Sequence, residues 1–389
     1  MNNTPSGERT HIALLGKRNA GKSSLANAIT GQDIAIVSDI KGTTTDPVYK
    51  AMELLPLGPV QIIDTPGIDD VGTLGELRMQ KTNQILNKAD IVLFVCEAGK
   101  PLADIELSFL ESIKRAETPY IVVYNKADLL SDIPSDTDEG VYVSAATGYQ
   151  INHLKDVIAN TLNVKKEKYI VSDLISKNDV VVLVIPIDSA APKGRLILPQ
   201  QQVIREILDS DATAFVCKEH NLKQTLDNLV VSPRLVITDS QIFHTVEKQV
   251  PREIPLTSFS ILMARYKGDL SQVVSGAKAL KQLQDNDQIL IAEGCTHHRQ
   301  CNDIGTVKIP NLIRKHTGTE PRFSFCSGCD FPADLSSYKL VVHCGGCMLN
   351  TKEMNYRLQK CNEANIPVTN YGVLIAYLNG ILDRTIELF

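Results

Sequence analysis

The sequence predicts an α/β protein of three domains: a doubly wound sheet over residues 1–165, then two smaller α/β domains over 166–264 and 265–389. Three observations predict it. Short runs rich in Ile, Val and Leu alternate with segments of helical period along the whole chain, the pattern of parallel sheets covered by helices. A length of 389 residues exceeds that of one ordinary domain. The charged, non-periodic stretch Asn163-Val-Lys-Lys-Glu-Lys168 reads as a linker.

Composition bounds the function. A hydrophobic content of 43% with 22% charged residues is that of an ordinary globular chain. A net charge of −5 gives no general attraction to nucleic acid or to an acidic membrane, so neither is expected as a partner. The longest apolar run, residues 180–187, is far too short to span a bilayer, and residues 1–10 lack the apolar core of a signal peptide. The expected location is cytoplasmic, where disulfides are rare and clustered cysteines suggest metal or redox chemistry. Of nine cysteines, six fall between Cys295 and Cys347.

In the first domain, the predicted strand His11-Ile-Ala-Leu-Leu15 leads into Gly16-Lys-Arg-Asn19-Ala20-Gly21-Lys22-Ser23 and a helix near Ser24. This is a phosphate-cradling loop in its strand–loop–helix setting. The glycines let backbone N–H groups approach phosphates, Lys22 reaches the β and γ oxygens, and Ser23 ligates Mg²⁺. A strand ending Asp64-Thr-Pro-Gly67 adds a carboxylate for the Mg²⁺ shell and a glycine N–H that can sense a γ-phosphate. Asn125-Lys126-Ala-Asp128 reads guanine, because a carboxylate accepts from the N1 and N2 groups that adenine does not offer. Ser144-Ala145-Ala146 backs the base. Four motifs in this order imply GTP binding. Helices over 74–88 and 102–116 complete the sheet, and Cys96 is a core thiol.

This segment resembles the translation-factor-related GTPases, in particular the branch of Era and the tRNA-modification GTPases. By that resemblance Thr44, in Gly42-Thr-Thr44-Thr-Asp46, is the switch threonine that binds Mg²⁺, with Thr45 where the family has Arg. Asn19 stands where a potassium-using branch has its K⁺ ligand, and Ile68 replaces the water-orienting Gln of Ras-type enzymes. A cation at Asn19 would supply the charge that an arginine finger gives elsewhere. Otherwise Asn19 simply shapes the loop.

The middle domain shows predicted strands at 179–187, 212–217 and 235–238, with helices at 199–208, 222–228 and 239–246. It carries no catalytic constellation. Asp188, Lys193 and Arg195 lie on a Gly/Pro loop and read as solvated charge. A small sheet without chemistry suggests assembly, and a homodimer is expected through it.

In the last domain, apolar runs at 288–292 and 338–342 precede Cys295-Thr-His297-His298 and His343-Cys344-Gly-Gly-Cys347. If the two strands are parallel neighbours, both loops leave one carboxyl edge, where ligands gather in open α/β sheets. Cys295, Cys344 and Cys347 suit an iron–sulfur cluster whose fourth position falls to His297, His343, another weak ligand or solvent. The rival reading pairs Cys326-x-x-Cys329 with Cys344-x-x-Cys347 as a structural zinc site, which leaves Cys295-x-His297 and His343 without a role. Cys217 and Cys361 read as structural; Cys301, Cys326 and Cys329 read as core or loop thiols, with an additional cluster ligand or oxygen-sensitive thiols as the alternative. His298, Arg299 and Lys308 are either surface charges or contacts to an anionic ligand. A final helix is predicted over 374–388.

Cys295-x-His297, then His343-Cys344-x-x-Cys347, behind a GTP-binding domain, resembles the [FeFe]-hydrogenase maturation GTPases. The resemblance spans nearly the whole chain. It implies a [4Fe–4S] cluster on the three cysteines, beside the GTP hydrolysis that the first domain's resemblance makes K⁺-stimulated. It also implies a di-iron precursor bearing CO and CN⁻, received from radical-SAM maturases and passed to apo-[FeFe]-hydrogenase. The alternative is an RNA- or ribosome-associated GTPase with a structural zinc domain, against which the acidic balance speaks. A GTP-gated redox module would require a fully ligated cluster.

Overall fold

The computed structural model describes residues 4–31, 47–68, 83–136, 140–162, 168–187, 196–294, 303–328 and 330–389. They form two compact units, Met1–Lys166 and Glu167–Phe389. Among them, no helix is long and apolar enough to cross a membrane.

The first unit is a six-stranded sheet. Its strands are β1 (Thr10–Leu15), β2 (Val48–Leu54), β3 (Gly58–Asp64), β4 (Ile91–Glu97), β5 (Tyr120–Asn125) and β6 (Gly140–Tyr142), in the order β2-β3-β1-β4-β5-β6. All neighbours are parallel except β2 against β3. Strands β1 and β4 are buried on both faces, which is why they read as continuous apolar runs. One face packs on helices Lys22–Thr30 and Ile151–Leu162, the other on Asp104–Arg115. Cys96 is buried in that second core.

The second unit holds two four-stranded parallel sheets. The first comprises β7 (Val180–Val184), β8 (Thr213–Cys217), β9 (Leu235–Thr238) and β10 (Leu256–Ser258), in the order β10-β9-β7-β8. The second comprises β11 (Gln288–Glu293), β12 (Arg322–Ser327), β13 (Leu340–His343) and β14 (Val368–Asn370), in the order β12-β11-β13-β14. The two regions that the sequence separates near residue 264 thus lie in one unit. They share a core to which Val182, Val236 and Leu256 contribute from one sheet and Leu290, Val341 and Val368 from the other.

Some elements differ from their sequence-based expectation. The single helix predicted over 374–388 is two, Tyr371–Leu378 and Leu382–Ile386, because Asn379 caps the first and Gly380 turns the chain at φ 71°. The helix predicted over 239–246 begins as a 3₁₀ turn, Ser240–Ile242, and continues as Phe243–Glu247. Strands β10 and β14 have three residues each, too few to show a period. Most of the helix predicted over 74–88, and residues 188–195, lie outside the described residues.

A shared core makes a local prediction. Leu256→Ala, a deletion at a fully buried position of the first small sheet, should cost about 2–4 kcal/mol. Hydrogen exchange should then lose protection equally in β9 and β13. Loss confined to β9 would mean that the sheets unfold separately.

Candidate functional site

In the first unit the phosphate loop is built by steric exclusion. Gly16 lies so close to β4 that an added Cβ would sit 2.1 Å from the Val95 carbonyl oxygen. At Gly21 an added Cβ would sit 2.2 Å from Asn125 Nδ2, and both glycines have positive φ. The backbone thus sinks below the level any side chain would allow, and the helix Lys22–Thr30 starts from Gly21 without a side-chain cap. Asn19, exposed, takes φ 60° in this loop, a conformation that Asn tolerates well.

Lys22 Nζ donates to the Gly16 and Lys17 carbonyls at 2.8 and 2.7 Å, so it lies folded along the loop. Ser23 Oγ donates to Asp64 Oδ2 at 2.6 Å. Asp64 is 1% exposed, and burial raises its pKa against the opposing pull of Ser23, Lys22 and Lys50. Its other oxygen, Oδ1, is buried without a hydrogen-bond partner. A desolvated carboxylate oxygen beside a serine hydroxyl is a donor set that suits a hard divalent cation such as Mg²⁺. Gly67 lies at the same edge, where the next residue, Ile68, donates its N–H to the Gly16 carbonyl at 3.3 Å. The Ile68 side chain is buried in the core.

The base-reading residues are tied to the phosphate loop. Asn125 donates through Nδ2 to the Ala20 carbonyl at 3.0 Å and accepts through Oδ1 from the Ala145 N–H at 3.0 Å. Ser144 Oγ donates to Asp128 Oδ1 at 2.5 Å, which orients the carboxylate. Lys126 takes φ 64° and pairs with Glu97 at 3.1 Å. Ala146 is exposed on the same loop. Thr44 lies outside the described residues.

In the second unit, β11 and β13 are parallel neighbours, with Ala292 opposite His343. Both following loops therefore leave the same edge of the sheet. Cys344 Sγ accepts from the Gly294 N–H at 3.1 Å and from the Gly346 N–H at 3.3 Å. The first bond ties the Cys344 loop to the residue immediately before Cys295. Burial raises the Cys344 pKa and these two N–H groups oppose the rise. Cys347 is half-buried three residues on. Cys295, His297, His298, Arg299, Cys301 and Cys329 lie outside the described residues.

His343 is engaged at both ring nitrogens. Arg357 Nη1 donates to Nε2 at 3.0 Å, which leaves Nδ1 carrying the proton and donating to the Cys344 carbonyl at 2.9 Å. Burial first, and Arg357 second, push its pKa down to about 3, so the ring is neutral. Arg357 is itself 2% exposed; its Nη2 donates to the Gly328 carbonyl and to Glu353 Oε1, while Nε is buried without a hydrogen-bond partner among the described residues. Its guanidinium lies over the Phe331 ring, 5.1 Å from the centroid. To bind a metal through Nε2, His343 would have to give up Arg357.

Cys326, at the end of β12, pairs with the far side of Ala292, and burial pushes its thiol up to about 11. Cys361 is fully buried in the shared core, and Cys217 is half-buried at the end of β8. Lys308 Nζ donates to Gln241 Oε1 at 3.2 Å.

Two groups close to the thiols carry no motif and escape a reading of the sequence: Arg357 and Lys267. Lys267, 1% exposed, ends the helix Phe259–Lys267 and donates to the carbonyls of Gly346, Cys347 and Leu349. The only signal for Arg357 is Glu353 one turn before it on the helix Thr351–Glu363.

Comparison with known proteins follows the same division. Residues 11–126 match the family model of the 50S ribosome-binding GTPases. Residues 170–268 match the hydrogen maturase F dimerization domain, and 271–388 its tetramerization domain. The tRNA modification GTPase MnmE of Bordetella petrii is 36% identical over 150 residues, 38% of this chain and 32% of that protein. Its counterpart from Aquifex aeolicus is 34% identical over 165 residues, 41% of this chain and 36% of that one. The chain thus spans about a third of the length of these relatives. Among solved structures, an Aquifex aeolicus Era variant bound to GDP and AlF₄⁻ covers 53% of this chain and 91% of its own, at 21% identity and a TM-score of 0.37. The first unit is thus a GTPase domain, and the second carries two self-association modules found together in one family. With a GTPase domain followed by both hydrogen maturase F modules, the chain belongs to the [FeFe]-hydrogenase maturation GTPases.

Proposed function

We propose that this protein is a GTP-hydrolysing [4Fe–4S] scaffold, which receives the CO- and CN⁻-bearing di-iron precursor from radical-SAM maturases and delivers it to apo-[FeFe]-hydrogenase. The observation that carries the reading is the parallel pairing of β11 with β13, with the Cys344 sulfur receiving an N–H from the residue before Cys295. Amide donors aimed at a sulfur stabilise a thiolate ligand and tune the cluster it holds. Cys295, Cys344 and Cys347 would hold three irons. His343 is engaged with Arg357, so the fourth position falls to His297 or to an exchangeable ligand, and the cluster supplies an open iron site for the cargo.

The first domain would bind GTP with Mg²⁺ on Ser23, Asp64 and Thr44. Its hydrolytic step needs positive charge near the γ-phosphate, and the side chain after Gly67 is a buried Ile68 that cannot orient water. Asn19, exposed on the loop, is the candidate to hold K⁺ there.

Self-association would begin at β8. It is an edge strand with one side unpaired among the described residues, and it exposes Phe215 and Val216; the segment before β9 exposes Val230 and Val231. A two-fold axis at such an edge pairs the strand with its own copy in antiparallel fashion and yields a homodimer.

Anaerobic reconstitution should give about four irons and four sulfides per chain. The EPR spectrum of the reduced protein should change on adding imidazole. One zinc and no iron would replace the scaffold reading with the structural zinc site. GTP hydrolysis should run about 10²-fold faster in K⁺ than in Na⁺, the worth of one transition-state charge contact, and Asn19→Ala should erase the difference. Equal rates in both salts with the unaltered chain would remove K⁺ from the mechanism. Val216→Lys should convert the dimer to smaller species in light scattering at micromolar concentration, and an unchanged mass would move the interface away from β8.

A further inference from the structure

The two sheets of the second unit repeat one design. Each has its strands in the order second, first, third, fourth. Each first strand is preceded by an Asn of positive φ, Asn178 at 69° and Asn286 at 67°. The next residues, Asp179 and Asp287, each accept an N–H at 2.8 Å, from Ser176 and Gln284. Val184 pairs with Cys217 where Ala292 pairs with Cys326. The fourth strands read Ile254-Pro-Leu-Thr257 and Ile366-Pro-Val-Thr369, and each runs into a capped helix. Ser258 caps Phe259–Lys267 through the Ile261 N–H, and Asn370 caps Tyr371–Leu378 through the Val373 N–H.

The halves face each other about these helices. Ser260 and Gly372 hold equivalent positions and touch: a Cβ on Gly372 would fall 2.4 Å from that of Ser260. Beyond them the chain crosses over. The helix Leu270–Lys278, which follows the first half's fourth strand and capped helix, packs on β14; its equivalent, Leu382–Ile386, packs on β10.

The symmetry is broken at the cysteine loop. Lys267 belongs to the first half but sends its ammonium into the second, where the carbonyls of Gly346, Cys347 and Leu349 accept from it at 3.2, 3.2 and 2.9 Å. The equivalent position in the second half is the uncharged Asn379. Three inward carbonyls in a buried place are costly unless paired, and an ammonium has three donors. Gly346 is gripped at both ends: its carbonyl accepts from Lys267 and its N–H donates to Cys344 Sγ.

We propose that Lys267 is a positioning residue for the cysteine loop, donated by the half that matches the dimerization domain. By holding these carbonyls it turns the Gly346 N–H onto Cys344 Sγ, and it makes thiol geometry depend on how the first half is packed. What this implies for bound iron rests on the scaffold reading. What it implies for the thiols does not.

Two readouts test it on the full-length chain, with Lys267→Met, Lys267→Arg and the exposed control Lys281→Met. In metal-free protein, the rate of iodoacetamide modification at Cys344 and Cys347, resolved by peptide mass mapping, should rise several-fold in Lys267→Met. It should fall back toward the unaltered rate in Lys267→Arg and stay unchanged in the control. In reconstituted protein, loss of the buried cation should move the cluster's midpoint potential to a more negative value, with Lys267→Arg in between. Unaltered thiol rates in a folded Lys267→Met would overturn the proposal. If that variant does not fold, Lys267→Gln, which keeps a donor but not the charge or the reach, decides on the same thiol readout. A failure of the unaltered chain to take up iron would refute the scaffold reading and leave the thiol rates to decide the role of Lys267.

Discussion

The cysteine site depends on one pairing, that of β11 with β13 in parallel. Parallel neighbours must start at one edge of a sheet and finish at the other, so the segments that follow them are forced together however far apart they stand in sequence. The order of the sheet does the rest. The first strand lies between the second and the third, the chain departs in opposite directions from its middle, and the crevice opens at that point. The amide-to-sulfur bond from Gly294 to Cys344 is the local expression of this constraint. Without the pairing, the segments that follow β11 and β13 would have no reason to leave the same edge of the sheet.

Around that edge, two buried cations do different work. Arg357 spans the ends of β12 and β13 by gripping the Gly328 carbonyl and the His343 ring, and it is neutralised by Glu353 on its own helix. Lys267 donates to three backbone carbonyls and arrives from the other half of the unit. Burying a full charge costs several kcal/mol unless it is well bonded, so each is a strong constraint on the loop it grips. The GTPase domain follows the same logic with a neutral group. Asn125 joins the phosphate loop to the base-backing loop through one amide, so neither loop can shift alone.

Much of this is legible in the sequence. The strand–loop–helix context of Gly16 to Ser23, the run ending at Asp64 and the two apolar runs before the cysteines all depend on local pattern, which a linear reading captures. The α/β alternation makes the cysteine strands parallel, but that they are neighbours stands in the sequence only as a condition, which the pairing of β11 with β13 meets. Arg357 and Lys267 are hidden because a buried cation looks like a surface one until its surroundings are known. Their meaning lies in carbonyls far along the chain. The engagement of His343 is hidden for the same reason, since a His beside a Cys reads first as a ligand. The duplication is a different case. The pairs Asn178-Asp179 with Asn286-Asp287, and Ile254-Pro255 with Ile366-Pro367, are visible in the letters, but two matched residues at a time are too few to stand out before the strand orders are seen to agree.

The crossing of the terminal helices has a consequence for how the unit can be taken apart. Leu270–Lys278 shields a strand of the second half, and Leu382–Ile386 shields one of the first, anchored there by Arg384 on Glu247 and on the Val250 and Pro251 carbonyls. Neither half keeps its own cover. A cut between residues 268 and 271, where the two family matches meet, would leave Leu270–Lys278 on β14 but take Leu382–Ile386 away from β10. Two modules with separate family descriptions are therefore interlocked in one direction: a chain that loses the second would lose the cover of β10 in the first.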